Sequence, residues 1–126
     1  MSDPTYTQSD VPLRKRIVWL HGEIKSPPFS LKARRETGGL IRLLQEGEIL
    51  GMPHSRPMPV VGPRCHELRI QDERASWRVV YRIDPDAIVV AAVFAKKTQH
   101  TLQDVIVQSR RRLGRYDAET GEGDSD

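Results

Sequence analysis

Residues 87–94, Ala-Ile-Val-Val-Ala-Ala-Val-Phe, form an unbroken apolar run. A half-exposed strand alternates apolar and polar residues. A run without alternation, rich in β-branched Val and Ile, is satisfied by a strand covered on both faces. It predicts a strand in the middle of a sheet. The run ends abruptly, with Ala95 followed by Lys96-Lys97-Thr98-Gln99-His100. Cations delivered to the end of a central strand suit a nucleic-acid site. They suit an ordinary solvated strand end as well, and the rest of the chain has to decide.

Upstream, Arg14 to Ile24 contains Ile17-Val18-Trp19-Leu20 and reads as a first strand, stopped by Ser26-Pro27-Pro28. Ser30 is placed to cap a helix from Leu31. There Ala33, Thr37, Leu40, Ile41 and Leu44 form an apolar stripe. Gly38-Gly39 weakens that helix by roughly 1 kcal/mol per glycine and allows a break. Gly47 is the expected stop. From Leu50 to Arg64, Pro53, Pro57, Pro59 and Pro63 with Gly51 and Gly62 predict a connection that is neither strand nor helix. Cys65–Ile70 and Trp77–Ile83 alternate, and the turns Asp72-Glu73-Arg74-Ala75 and Asp84-Pro85-Asp86 favour antiparallel neighbours. Thr101 opens a last helix, with Asp104 as its capping partner. Its inner face is Leu102, Val105, Ile106, Ser109, Leu113 and Tyr116. Arg110, Arg111, Arg112 and Arg115 crowd its C-terminal end, where the helix dipole already favours them. The expected fold is α+β, in the order β-α-β-β-β-α. The sheet is four-stranded and mostly antiparallel, with helices on one face and the other face partly open.

Residues 14–116 hold all twenty Lys and Arg but only ten of the seventeen acids, so this part of the chain carries about +10 by formal count against +3 for the whole. Most of the cations are arginine, which suits bidentate phosphate contacts. We therefore expect a domain over 14–116, a flexible arm over 1–13 and a disordered acidic tail over 117–126. No apolar run is long enough to span a bilayer, and a membrane partner is not expected. The lone Cys65 cannot form an internal disulfide and reads as a small strand residue in a cytoplasmic protein. His21, His54, His66 and His100 are scattered, and no ligand spacing points to a metal or cofactor.

On the open face, alternation sets Glu67 and Arg69 beside Arg78 and Arg82, with Lys97 arriving from the central strand. Four cations and one carboxylate converge there. The succession Glu67-Leu68-Arg69, then Trp77-Arg78-Val79-Val80-Tyr81-Arg82, then Val93-Phe94-Ala95-Lys96-Lys97-Thr98-Gln99, then an Arg-bearing C-terminal helix, resembles the RelE/HigB toxin superfamily. More narrowly, it resembles the phage-derived HigB-like branch. The resemblance covers about residues 14–116. It implies a small toxin of a type II toxin–antitoxin pair, most of which are ribosome-dependent endoribonucleases that cut mRNA, neutralised by a helix-turn-helix antitoxin of the HigA kind. Arg78 matches the arginine that contacts the scissile phosphate in that family. Arg69 matches its second-strand arginine, and Lys96 and Lys97 match the end of its fourth strand.

Metal-free RNA cleavage needs the 2′-hydroxyl deprotonated and in line, the phosphorane charge stabilised and the 5′-oxygen protonated. Convergent Arg and Lys supply the second requirement. The candidate catalytic set is Arg78, Arg69, Lys97, Lys96 and His100. Glu67, Arg82, Arg64 and Arg112 are the further candidates for RNA contact. His100 suits acid–base work, and equally suits a solvated loop beside a helix cap. Lys96 shares alternation with Phe94 and reaches the site if the strand ends or bulges there. Glu67 orients Arg69 or acts as base, an ion pair being its simpler role. Tyr81 shares a face with Trp77, which favours packing. Two other readings stay open. One is a same-fold toxin of the ParE kind acting on DNA gyrase, since fold does not settle function. The other is a non-catalytic basic binding module with phosphate contacts spread over Arg42, Arg64 and Arg110 to Arg115.

Overall fold

The computed structural model describes residues 14–21, 29–96 and 99–121, the side chains of 99–101 excepted. The expected arm at 1–13, Lys97 and the last five residues lie outside the described residues. The elements are β1 (Arg16–Trp19), α1 (Leu31–Gln45), β2 (Ser55–Pro57), β3 (Cys65–Gln71), β4 (Ser76–Ile83), β5 (Ala87–Ala95) and α2 (Gln99–Glu119). They build one mixed sheet of five strands in the order β1-β5-β4-β3-β2. Three pairings are antiparallel, and β1 runs parallel to β5 with Ile17 beside Ile88.

Three expectations are corrected. The sheet has a fifth strand, β2, within the proline-rich connection. It is tolerated because it is three residues long and lies at the edge, where Pro57 removes no ladder bond from a central strand. The apolar run is an interior strand, but the middle of the sheet is β4. The helices lie on opposite faces. Ala33, Leu40, Ile41 and Leu44 of α1 pack with Leu68, Ile70, Val79, Tyr81, Ile88 and Val90. Ile106 and Leu113 of α2 pack with Cys65, Val80, Val89, Ala91 and Ala92 on the other side. Both faces of β5 are thereby covered, which is what its unbroken apolar sequence requires.

The buried positions of α1 are the five of the predicted stripe, and Ser30 Oγ accepts from the Ala33 amide at 3.0 Å as the N-cap. The helix does not break at Gly38-Gly39. Both glycines are exposed on its outer side, so a side chain is not missed there. Asp72 ties the β3–β4 turn to this helix. Its carboxylate accepts from the Ser30 amide at 3.0 Å, the Trp77 indole at 3.1 Å and the Glu73 amide at 2.8 Å. Trp77 in turn stacks on the buried Phe29, with ring centroids 4.4 Å apart.

The β4–β5 register shifts by one residue. Val80 pairs with Ala92 and Tyr81 with Val90, which leaves Ala91 without a partner. Arg112 from α2 donates to the Ala91 carbonyl at 2.8 Å, satisfying a bulge oxygen that would otherwise be buried unpaired. The bulge also keeps Ala91, Ala92 and Phe94 together on the α2 face, with Phe94 opposite Arg78. At its far end α2 runs to Glu119, past the domain boundary expected at Tyr116. Asp117 holds it there by pairing with the buried Arg82. No helix among the described residues is long and apolar enough to cross a membrane.

Candidate functional site

Alternation along β3 and β4 puts Glu67, Arg69 and Arg78 on the α2 face. Arg69 stands directly opposite Arg78 in the register. Like charges placed so destabilise a sheet unless something opposes them. The opposing group is Glu67, only 1% exposed. Its Oε1 accepts from Arg56 Nε at 2.9 Å and lies 3.8 Å from Arg78 Nε. Arg56 reaches it because β2 sets Arg56 opposite Glu67. One buried carboxylate thus serves two guanidiniums, with a third across the strand, and the cluster keeps a formal charge of +2.

Arg78 is 6% exposed yet poorly bonded. Among the described residues its guanidinium hydrogen-bonds only from Nη1 to the Trp77 carbonyl, at 3.2 Å. Burial pushes it below the ordinary arginine range, Glu67 opposes that, and Arg69 and Arg56 add to it. It stays a cation in water, with N–H groups still free for an anion. Among the described residues the Arg69 guanidinium hydrogen-bonds only to the Met52 sulfur, at 3.8 Å.

Both arginines line a cleft of about 330 Å³ with Glu36, Pro53, His54 and Gln71. It opens just ahead of the first residue of β2. Ser55 is opposite Leu68, one last amide bond joins Arg69 to the His54 carbonyl, and beyond it no strand among the described residues borders β3 on that side. Glu36 comes from α1 and His54 from the turn that leads into β2. A cationic pair facing an imidazole and a carboxylate across one cleft can bind a phosphodiester and move a proton beside it. Among the described residues no group of three His, Cys, Asp or Glu is placed to hold a metal.

The other sequence candidates sit elsewhere. Arg82 uses four N–H groups on carboxylates, two to Asp84 at 2.8 and 2.9 Å and two to Asp117 at 2.7 and 3.0 Å. These bonds hold its pKa above the ordinary arginine value against the cost of burial. Arg64 bonds the Ile83 carbonyl and Asp84, and Arg112 serves the bulge. Lys96 is exposed just past β5, its amide bonded to the Ser76 carbonyl. His100 falls in the first turn of α2, but its side chain, like Lys97, is outside the described residues. Tyr81 is buried on the α1 face, bonded to Ser55 Oγ at 2.6 Å and stacked on His66. Burial raises its phenol. Burial likewise raises the Cys65 thiol.

Sequence reasoning missed Arg56, His54 and Glu36 as members of the site. The signal for Arg56 was its position in a short segment that only an edge strand could accommodate. Nothing local in the sequence ties Glu36 or His54 to Arg78.

A family model described as phage-derived protein, Gp49-like, matches residues 28–114, a span that takes in every residue lining the cleft. Searches of curated proteins and of solved structures returned no match.

Proposed function

Since this chain belongs to the phage-derived Gp49-like family, a RelE-like toxin family of toxin–antitoxin systems, we propose that it is a metal-independent endoribonuclease that cuts mRNA on the ribosome and so stops translation. The observation that carries this reading is the pair Arg69 and Arg78, opposed on adjacent strands over a buried carboxylate, with N–H groups unspent. Two guanidiniums that repel one another gain when a phosphate comes between them, and gain more as the phosphorane develops its extra charge.

In the proposed reaction the 2′-oxygen loses its proton and attacks the adjacent phosphorus. The bond to the 5′-oxygen breaks, and that oxygen takes up a proton. The products are a 2′,3′-cyclic phosphate and a 5′-hydroxyl. Arg78 and Arg69 hold the non-bridging oxygens. His54 is the imidazole lining the cleft and the side-chain type suited to both proton transfers at neutral pH. Glu36 is the second acid–base group in reach of the same space. Lys96, exposed just past β5, adds a cation from that side, and Lys97 and His100 follow it in the sequence. The acid–base equipment is sparse, so the ribosome supplies the in-line alignment of the substrate. The family implies an antitoxin partner. We propose one of helix-turn-helix type, of the HigA kind, that covers the arginine pair.

The test is induced expression of the wild type and Arg78→Ala in a sensitive bacterium, with RNA 5′-ends mapped soon after induction. Cleavage within translated frames that the variant loses supports the reading. Growth arrest with intact mRNA overturns it in favour of a gyrase-directed toxin.

A further inference from the structure

A second depression lies on the same sheet face as the arginine pair, at the opposite end of β3. It has a volume of about 340 Å³ and forms between the loop before β3 and the last turns of α2. Its floor is apolar, from Cys65 and Leu113, and its rim is cationic, from Arg64 and Arg110. Asp117 lines it too, with both its oxygens taken by Arg82; since Asp84 pairs with Arg82 and Arg64, these two arginines and two carboxylates sum to zero and Arg110 supplies the net positive charge. Arg110 is exposed and has no partner among the described residues. Arg64 is more than half exposed and, among the described residues, spends only Nε on the Ile83 carbonyl and Nη2 on Asp84. Arg64 also holds a left-handed backbone, φ 62°, which a non-glycine residue adopts only against a cost. Gly114 removes the side chain where α2 passes the depression, and a Cβ built there meets nothing within 4 Å.

An apolar floor with an arginine rim matches a nucleotide, whose base needs a flat dry surface and whose phosphate needs a fork of donors. Cys65 and Arg69 are four residues apart on one strand, about 13 Å at the usual rise. At the stacked spacing of about 3.4 Å per nucleotide, roughly four nucleotides cover that distance. We infer that this depression is a second RNA subsite, which holds a nucleotide of the substrate strand about four positions from the phosphate bound by Arg69 and Arg78. The inference rests on the proposed ribonuclease reading and adds to it where the strand runs.

The test uses the full chain and two uncleavable 2′-O-methyl RNAs, a dinucleotide and a hexanucleotide, with binding read by fluorescence anisotropy. The hexanucleotide binds the wild type at least tenfold more tightly than the dinucleotide. Gly114→Met fills the depression while improving helix propensity. It raises the melting temperature, weakens the hexanucleotide about tenfold and leaves the dinucleotide unchanged. Arg110→Gln also weakens the hexanucleotide and reduces its salt slope by about 0.7, one phosphate's worth for a single strand. Equal affinities for the two lengths, or a hexanucleotide indifferent to Gly114→Met, overturn the subsite. If the dinucleotide still depends on Arg78, the ribonuclease reading survives that outcome. Failure of both RNAs to bind overturns the subsite, and the ribonuclease reading then stands or falls on the mapped 5′-ends of wild type and Arg78→Ala. An acidic peptide that Gly114→Met displaces while RNA binding is untouched assigns the depression to a protein partner and overturns the proposal.

Discussion

Arg78 is pulled in two directions, by a carboxylate it barely reaches and by two guanidiniums it cannot avoid. On the proposed reading a bound phosphate settles that balance. Arg78→Ala is expected to lower the rate of mRNA cleavage by about 10²–10³-fold, as loss of one donor to a developing oxyanion does elsewhere. Arg78→Lys keeps the charge but loses the fork, and should recover only part of that rate in a ribosome-programmed cleavage assay. Glu67→Gln acts differently. It leaves three arginines without their common counter-charge, so it should lower unfolding free energy by about 1–3 kcal/mol as well as activity, and urea unfolding separates the two effects. Ser109 is the converse case. Its hydroxyl is buried under α2 with no partner among the described residues. Ser109→Ala should therefore raise stability by about 1 kcal/mol with cleavage unchanged. The arginine pair was legible in the sequence because strand alternation shows which residues share a face. The fate of Arg82 was not. Nothing in a charge count shows that Asp84, two residues on, and Asp117, from the last helix, would take up its donors.

Each element keeps a mark of where it sits. In α1 the outward Gly38 and Gly39 cost helix propensity and fill no close contact. Gly39→Ala should stabilise the protein by about 0.5–1 kcal/mol in denaturant titration. The β3–β4 turn depends on the Asp72 carboxylate, whose hydrogen bonds to Ser30, Glu73 and Trp77 hold its pKa well below the usual carboxylate range. The sign follows from linkage. The contribution is full above the unfolded value, near 3.9, and is lost as pH falls below it toward the folded one. Asp72→Asn should therefore be less stable than the wild type at pH 7, and the gap should narrow as both are titrated below pH 4; a gap that stays constant with pH would count against this role. Legibility varied here for physical reasons. The stripe of α1 and its cap were readable from local spacing alone. The apolar run of β5 stated that both faces were covered, and that signal outweighs the expectation of helices on one face. Strand β2 was hidden because three residues with a terminal proline carry no periodic signal.

At the scale of the whole molecule, the first and last described elements meet the same sheet. β1 closes one flank against β5, and α2 fastens its last turn through Asp117 to Arg82 in β4. A chain ended at residue 116 should lose on the order of 1–2 kcal/mol in urea unfolding, discounted because Asp117 is more than a third exposed. The cleft also draws on the whole fold, taking Glu36 from α1, His54 from the approach to β2, Arg69 from β3 and Arg78 from β4. Sequence spacing could not assemble it for that reason. The parallel pairing of Ile17 with Ile88 has a temporal meaning as well. Contacts between segments so far apart form late, because the intervening chain must be gathered first. During synthesis the arginines of β3 and β4 are joined to the chain before β5, the strand that carries them in the sheet, has been added. A nascent chain thus holds the parts of a poison without its geometry, and the message that encodes it is nearly translated before the weapon is whole.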